Sequence, residues 1–245
     1  MPYYESGDLI HYISNDFYNI SWYTKLAKLR CIINGLVNIH SVDIIHRDFH
    51  SGNIFFGNKV YNDVYIGDLG ISKSATESTD DNENYGIIPY MAPEIFQGQK
   101  YTKESDIYSF GMIMWEFMTA RRPFWDRSHD IDLIIEICDG LRPPIVTNAP
   151  EGYIELMKEC WHSDPEKRPI GTYIFKKFVD MVDKERYGKI QTKIKESPDI
   201  GPVTINNPGA IYQSRPLSGM INSVMSLRSS RSQSTIDLKT GKQFY

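Results

Sequence analysis

Hydrophobic positions follow a helical period from Trp22 onward. Trp22, Leu26, Leu29, Ile33, Leu36 and His40 step by four and three, which lines one face of a helix. The run IIHRDFHSGNIFF breaks that period. Two short β-like runs follow, Asn53–Phe56 and Val64–Ile66, separated by the turn-like GNKVYND. Residues 72–88 are rich in Ser, Thr, Asp and Asn and predict an exposed loop. Pro93 opens a short helix. Residues 103–120, KESDIYSFGMIMWEFMTA, are apolar on nearly every face after the first turn, which predicts a helix buried all round in the centre of a domain. Further helices fit Asp130–Cys138, Glu151–Cys160 and Gly171–Lys184. Beyond Arg186, Gly, Pro, Ser and Asn dominate. Residues 184–245 have too few apolar side chains to offset the entropy of ordering and are expected to be disordered.

Composition narrows the class. The 245 residues suffice for one sizeable domain and a tail. A hydrophobic fraction of 41% and a charged fraction of 24% are those of a soluble globular chain. The net charge of −4 conceals an asymmetry: residues 186–245 hold nine Lys/Arg against three Asp/Glu, so the body is acidic. An acidic body with a basic tail argues against a nucleic-acid partner, which needs a basic folded face. Cys31, Cys138 and Cys160 are odd in number and far apart, with no metal-binding spacing, and reduced thiols in a cytoplasmic protein are expected. The opening MPYYESGDLI lacks the basic stretch and apolar core of a signal peptide. No run of about 18 apolar residues is present, so no membrane span is expected. His11, His129 and His162 read as surface or packing residues, Cys160 and Trp161 as core, and Met112, Met114 and Met118 as core. The oligomeric state leaves no signature in the pattern.

The chemistry concentrates in the run that breaks the helical period. His46-Arg47-Asp48 is followed five positions later by Asn53. A short rigid loop with this spacing presents a carboxylate and an amide oxygen toward one phosphate. Phosphoryl transfer needs a carboxylate to orient an attacking hydroxyl and oxygen ligands for Mg²⁺. Alone, the fragment reads better as a polar surface turn. Asp68-Leu69-Gly70 follows the second β-like run, and Ala92-Pro93-Glu94 follows the polar loop.

In that order and spacing, these motifs resemble the catalytic loop, metal-binding DFG and APE sequences of the eukaryotic protein kinases. The resemblance covers about residues 1–183, to be read as the kinase domain. CWHSDPEKRP and HRDFHSGN look most like the tyrosine-kinase-like group of Ser/Thr kinases. It implies an α+β, kinase-like fold, of which this chain holds the mainly helical C-terminal lobe, starting near the hinge. It implies ATP and Mg²⁺ as cofactors, a protein substrate, and transfer of the γ-phosphoryl group in signalling. Asp48 would be the catalytic residue, and Asn53 and Asp68 the metal ligands. His46, Arg47, Glu94, Asp106 and Arg168 would support the site, with Asp106 holding the catalytic-loop backbone and Glu94 paired to Arg168. Pro2 and Tyr4 of MPYYESGDL would meet adenine at the hinge, Asp8 the ribose, and Phe55 the adenine from below. For the first three, a plain loop-to-helix junction, with Asp8 favourable near a helix start, is the alternative.

The departures are specific. His50 stands where Ser/Thr kinases keep a lysine, and Gly52 where tyrosine kinases put an arginine. Ile87 replaces a threonine ahead of Tyr90, and Leu69 replaces the Phe of DFG. No glycine-rich loop and no VAIK lysine are present. A truncated pseudokinase acting as a binding or scaffold module, or an incomplete gene model, therefore stands beside the enzyme reading.

Overall fold

The computed structural model describes residues 7–57, 64–70, 72–74, 84–189 and 191–240, with 231–240 as backbone alone. The periodic face from Trp22 becomes α2 (Trp22–Ser41), which follows α1 (Leu9–Asp16). Ser21 starts α2 by accepting the Thr24 amide at 3.2 Å, the usual N-cap device. Trp22, Leu26, Leu29, Ile33 and Leu36 are buried as the period requires. Lys25 on the same helix is buried too, its ammonium 3.6 Å from the centre of the Phe17 ring.

The run 103–120 forms α4 (Lys103–Thr119), and every residue from Ser105 to Thr119 is buried. α4 packs on α6 (Tyr153–Cys160) and α2 packs on α7 (Gly171–Tyr187). Gly111 lets α4 approach closely: a Cβ there would lie 3.1 Å from Cys160 Cβ and from the Trp161 backbone nitrogen. α3 (Pro93–Phe96) and α5 (Ile131–Cys138) complete this helical body, and Asp130 caps α5 by accepting the Leu133 amide.

Three short antiparallel pairs accompany the helices among the described residues. β1 (Ile44–Ile45) pairs with β4 (Lys73–Ser74), and β2 (Ile54–Phe56) pairs with β3 (Val64–Ile66). β5 (Tyr85–Gly86) pairs with β6 (Arg215–Pro216). The polar stretch 72–88 is thus not wholly an exposed loop. Its described ends are strands, and Ile87 and Ile88 are buried in the core.

The expected disorder of 184–245 needs correction over the described residues of that stretch. α7 continues through Tyr187. Arg121 donates to the carbonyls of Gly201 and Pro198, His129 donates its amide to Gly209, and β6 leads into α8 (Ser218–Thr240). Ile200, Leu217, Ile221 and Val224 are buried against the body. Composition missed this because the anchors are single apolar residues separated by polar spacers. The groove that receives them belongs to another part of the chain. Among the described residues, no helix is long and apolar enough to cross a membrane.

Candidate active site

Two buried acids of α4 set the loop between β1 and β2. Asp106 sits in the first turn of α4. Its carboxylate accepts the backbone amides of His46 (2.9 Å) and Arg47 (3.0 Å) and the Nε2–H of His40 (2.8 Å). Arg47 holds a left-handed φ of +71°, uncommon for a non-glycine residue, and the Asp106 bond to its amide offsets that cost. Glu116, nearly three turns further along, accepts from the Ser51 hydroxyl (2.9 Å) and the Tyr90 hydroxyl (2.7 Å) through one oxygen, Oε1. Its other oxygen has no hydrogen-bond partner among the described residues. Burial pushes the Glu116 carboxyl up to about 8 against the pull of the Tyr90 hydroxyl, so the acid is held largely neutral at pH 7.

Asp48 lies between these clamps and is only 6% exposed. His50 Nδ1 accepts the Gly52 amide at 3.0 Å, which leaves Nε2 as the N–H facing Asp48 Oδ2 at 3.5 Å. Burial works against the Asp48 charge. The His50 N–H, the Ser214 hydroxyl and nearby His46 outweigh it and hold the carboxyl below the ordinary aspartate range. His46 is fully buried and donates from Nε2 to the Gly67 carbonyl at 3.1 Å, and desolvation holds its imidazole below the usual histidine range despite the Asp106 charge. Arg47 lays its guanidinium 4.7 Å from the centre of the Tyr101 ring, and the Tyr101 hydroxyl donates to the Tyr85 carbonyl at 3.0 Å.

Asn53 and Asp68 meet at one end of the β2–β3 hairpin. The Asn53 carbonyl accepts the Gly67 amide at 2.8 Å, and the Asn53 side-chain NH₂ donates to the Asp48 carbonyl at 2.9 Å. That bond uses the amide nitrogen, and among the described residues no hydrogen bond engages the amide oxygen. Asp68 is exposed, takes a left-handed φ of +56°, and accepts the Gly70 amide at 3.3 Å. One amide oxygen and one exposed carboxylate are hard donors of the kind Mg²⁺ takes alongside phosphate oxygens, so this donor set fits the ion.

Asp8 caps α1 by accepting the His11 amide at 2.9 Å, as the plain alternative for it foresaw. It also bridges to Phe55 on β2, which puts both residues on the same edge. Pro2 and Tyr4 lie outside the described residues. Glu94 and Arg168 form a two-pronged pair at 2.6 and 2.7 Å. His40 and Glu116 escaped the sequence reading. Glu116 left a signal, as the lone acid of MIMWEFMTA, whereas His40 looked like one more member of a packed face.

The structure thus brings together a buried carboxylate on a clamped loop and oxygen donors at a hairpin end, and forms the Glu94–Arg168 pair. The family model for protein tyrosine and serine/threonine kinases matches residues 1–178. The chain belongs to that family, whose domains are α+β. Relatives agree. A protein named as a serine/threonine-protein kinase/receptor in Acanthamoeba polyphaga mimivirus is 34% identical over 167 residues, covering 67% of this chain and 10% of the relative. A LIM domain-containing serine/threonine-protein kinase named in Dictyostelium discoideum is 29% identical over 180 residues, 74% of this chain and 27% of that protein. Another serine/threonine-protein kinase named in the same organism is 36% identical over 157 residues, 64% of this chain and 17% of that protein. The chain thus spans about a tenth to about a quarter of the length of these relatives.

Proposed function

We propose that this chain carries the catalytic machinery of a Ser/Thr protein kinase of the tyrosine-kinase-like group, transferring the γ-phosphoryl of ATP to a protein hydroxyl in signalling. The carrying observation is Asp48: a carboxylate kept ionised in a buried loop whose backbone Asp106 fixes. Asp48 orients the acceptor hydroxyl and takes its proton. His50 supplies a neighbouring N–H where the related enzymes keep a lysine. Asn53 and Asp68 would hold Mg²⁺, which when bound neutralises phosphate charge. Phe55 and Asp8, side by side, form the nucleotide floor, with Pro2 and Tyr4 assigned to its hinge edge. Arg47, joined through Tyr101 to Tyr85, ties the loop to the segment ahead of α3 and suits docking of a phosphorylated activation segment.

The described residues correspond to the large lobe, because they are helical with only two-stranded sheets. Nucleotide would then be closed over by a small lobe. The test is Asp48→Asn in the natural full-length polypeptide, assayed for transfer from Mg-ATP to a Ser/Thr protein substrate. Loss of the base is expected to cost about 10²–10⁴-fold in rate. Equal rates for the two proteins would remove Asp48 from this role and the kinase reading with it.

A further inference from the structure

The start of α4 grips Arg47 from two directions. Asp106 takes the Arg47 amide at 3.0 Å. Tyr101, just ahead of the helix, takes the Arg47 side chain, with the guanidinium 4.7 Å from the centre of its ring. Tyr101 has a firm support. The amide of its neighbour Thr102 donates to Ser105 Oγ at 3.1 Å, and Ser105 Oγ donates to the Thr102 carbonyl at 2.7 Å. At its far end the Tyr101 hydroxyl donates to the Tyr85 carbonyl at 3.0 Å. Tyr101 thus joins the loop that carries Asp48 to the start of segment 85–90. That segment runs beside the same loop: the Tyr90 hydroxyl meets Ser51 Oγ at 3.0 Å, and the rings of Tyr90 and His50 lie 5.8 Å apart. Burial pushes the Tyr101 hydroxyl above the usual tyrosine range despite the Arg47 charge beside it, so it stays a donor well above neutral pH. The gap that Tyr101 shares with Arg47, Ile87, Tyr90 and Asp106 measures about 10 Å³, room for a single water and not for a phosphate.

A cation over an aromatic face and a hydroxyl on a carbonyl make a latch that needs no added charge. We propose that Tyr101 is a positioning residue for phosphoryl transfer: it latches segment 85–90 to the Asp48 loop while the chain carries no phosphate. The inference rests on the kinase reading. Both grips on Arg47 come from one helix start, and α4 is buried from Ser105 to Thr119. Backbone and side chain of Arg47 therefore cannot shift apart without moving a buried helix. Transfer needs the acceptor hydroxyl held against Asp48 in one geometry, which requires the neighbouring segment to stand still relative to that loop. Tyr101 fixes this relation without touching either reactant. Its loss should therefore appear in kcat rather than in KM for Mg-ATP. Phosphate docked at Arg47 would add to this tie rather than create it.

The test uses the natural full-length polypeptide, treated with phosphatase and confirmed free of phosphate by intact mass before and after the assay. Its initial rate of transfer from Mg-ATP to casein should stay within about threefold of the untreated protein. Tyr101→Phe keeps the stack and drops the donor, so kcat should fall about 3–10-fold with KM for Mg-ATP unchanged. Tyr101→Leu drops both, and kcat should fall about 10–100-fold. Arg47→Leu combined with Tyr101→Leu should lose clearly less than the product of the two single losses, because either change opens the same latch. Without nucleotide, the Tyr90 and Met91 amides, which donate to the Ile87 and Ile88 carbonyls, should exchange at least about threefold faster in Tyr101→Phe than in wild type. A larger loss on dephosphorylation of the wild type would overturn the phosphate-free latch. Losses that simply multiply would overturn the link through Arg47. A wild type that transfers phosphate and is matched by Tyr101→Phe in kcat would overturn the proposal while leaving the kinase standing. Transfer by no form of the protein would remove the kinase reading and this proposal together.

Discussion

Arg168→Ala offers the sharpest test of the lock beneath the site. The Arg168 side chain is 0% and that of Glu94 4% exposed, and their bonds are 2.6 and 2.7 Å. Arg168 also donates to the carbonyls of His162 (2.8 Å) and Glu104 (2.9 Å). Its guanidinium lies 5.2 Å from the centre of the Tyr108 ring. Alanine removes all of these and strands a buried carboxylate without its donors. Breaking a buried pair from one side costs about 3–5 kcal/mol. For a domain of this size each kcal/mol moves Tm by about 2–4 °C, so the loss expected is about 6–20 °C. Lys184→Ala serves as the control, because its partner Glu151 is exposed and such pairs add little. Glu94→Leu/Arg168→Met, which removes both charges, should lose less than the sum of the two single changes, because no charge is left stranded. Differential scanning calorimetry at one protein concentration measures wild type, Arg168→Ala, Lys184→Ala, the double variant and its two single components, Glu94→Leu and Arg168→Met. A shift for Arg168→Ala no larger than that for Lys184→Ala would refute the argument.

Two further outcomes follow from the acids of α4. Glu116 is ordinarily a 4.5 group, and burial pushes it up to about 8 here, so its contribution to stability is fully present below about 4.5 and is lost as pH rises through about 8. Glu116→Gln keeps the acceptor and removes the titration, so its Tm should gain on wild type between those limits, and parallel Tm–pH curves would contradict the assignment. Asp106→Asn must turn an NH₂ toward at least one of the three donors at that carboxylate. It should cost about 1–3 kcal/mol and lower the rate of transfer as well as Tm, and an unchanged Tm would refute the clamp.

Much of this was legible in the sequence, and the legible parts share a physical cause. The helices of the body were readable because their periods of three and four, or their all-round apolarity, are local properties. The Glu94–Arg168 pair was expected from the kinase resemblance, and the structure forms it, while Asp48, Asn53 and Asp68 were singled out by the spacing of short local motifs. The placement of residues 207–217 was not readable. They come from far along the chain, and the residues that hold them, His129, Tyr85 and Gly86, carry no pattern that names a partner. Leu217 and Val224 are single apolar residues in a polar run. Their burial depends on a groove that only the folded body supplies.

The two buried acids of α4 explain why a helix buried on nearly all sides tolerates charge-bearing residues at all. Ten residues of helix rise about 15 Å, and Asp106 and Glu116 stand at the ends of that interval. Between them they hold His46, Arg47, Ser51 and Tyr90. The loop 46–51 is therefore pinned at both ends to one rigid rod, and Asp48 in its middle has little freedom to turn. The two clamps use opposite electrostatics. Asp106 accepts three donors and suits a charged carboxylate. Glu116 accepts two through one oxygen, leaves the other bare, and is pushed toward neutrality. Uncharged, Glu116 adds little repulsion against Asp48, whose charge the proposed transfer needs. A second ionised acid at that end of the loop would raise the Asp48 carboxyl and weaken its hold on an acceptor hydroxyl. The buried rod thus fixes the position of the Asp48 carboxylate from both ends of its loop while leaving its charge undisturbed from the Glu116 side.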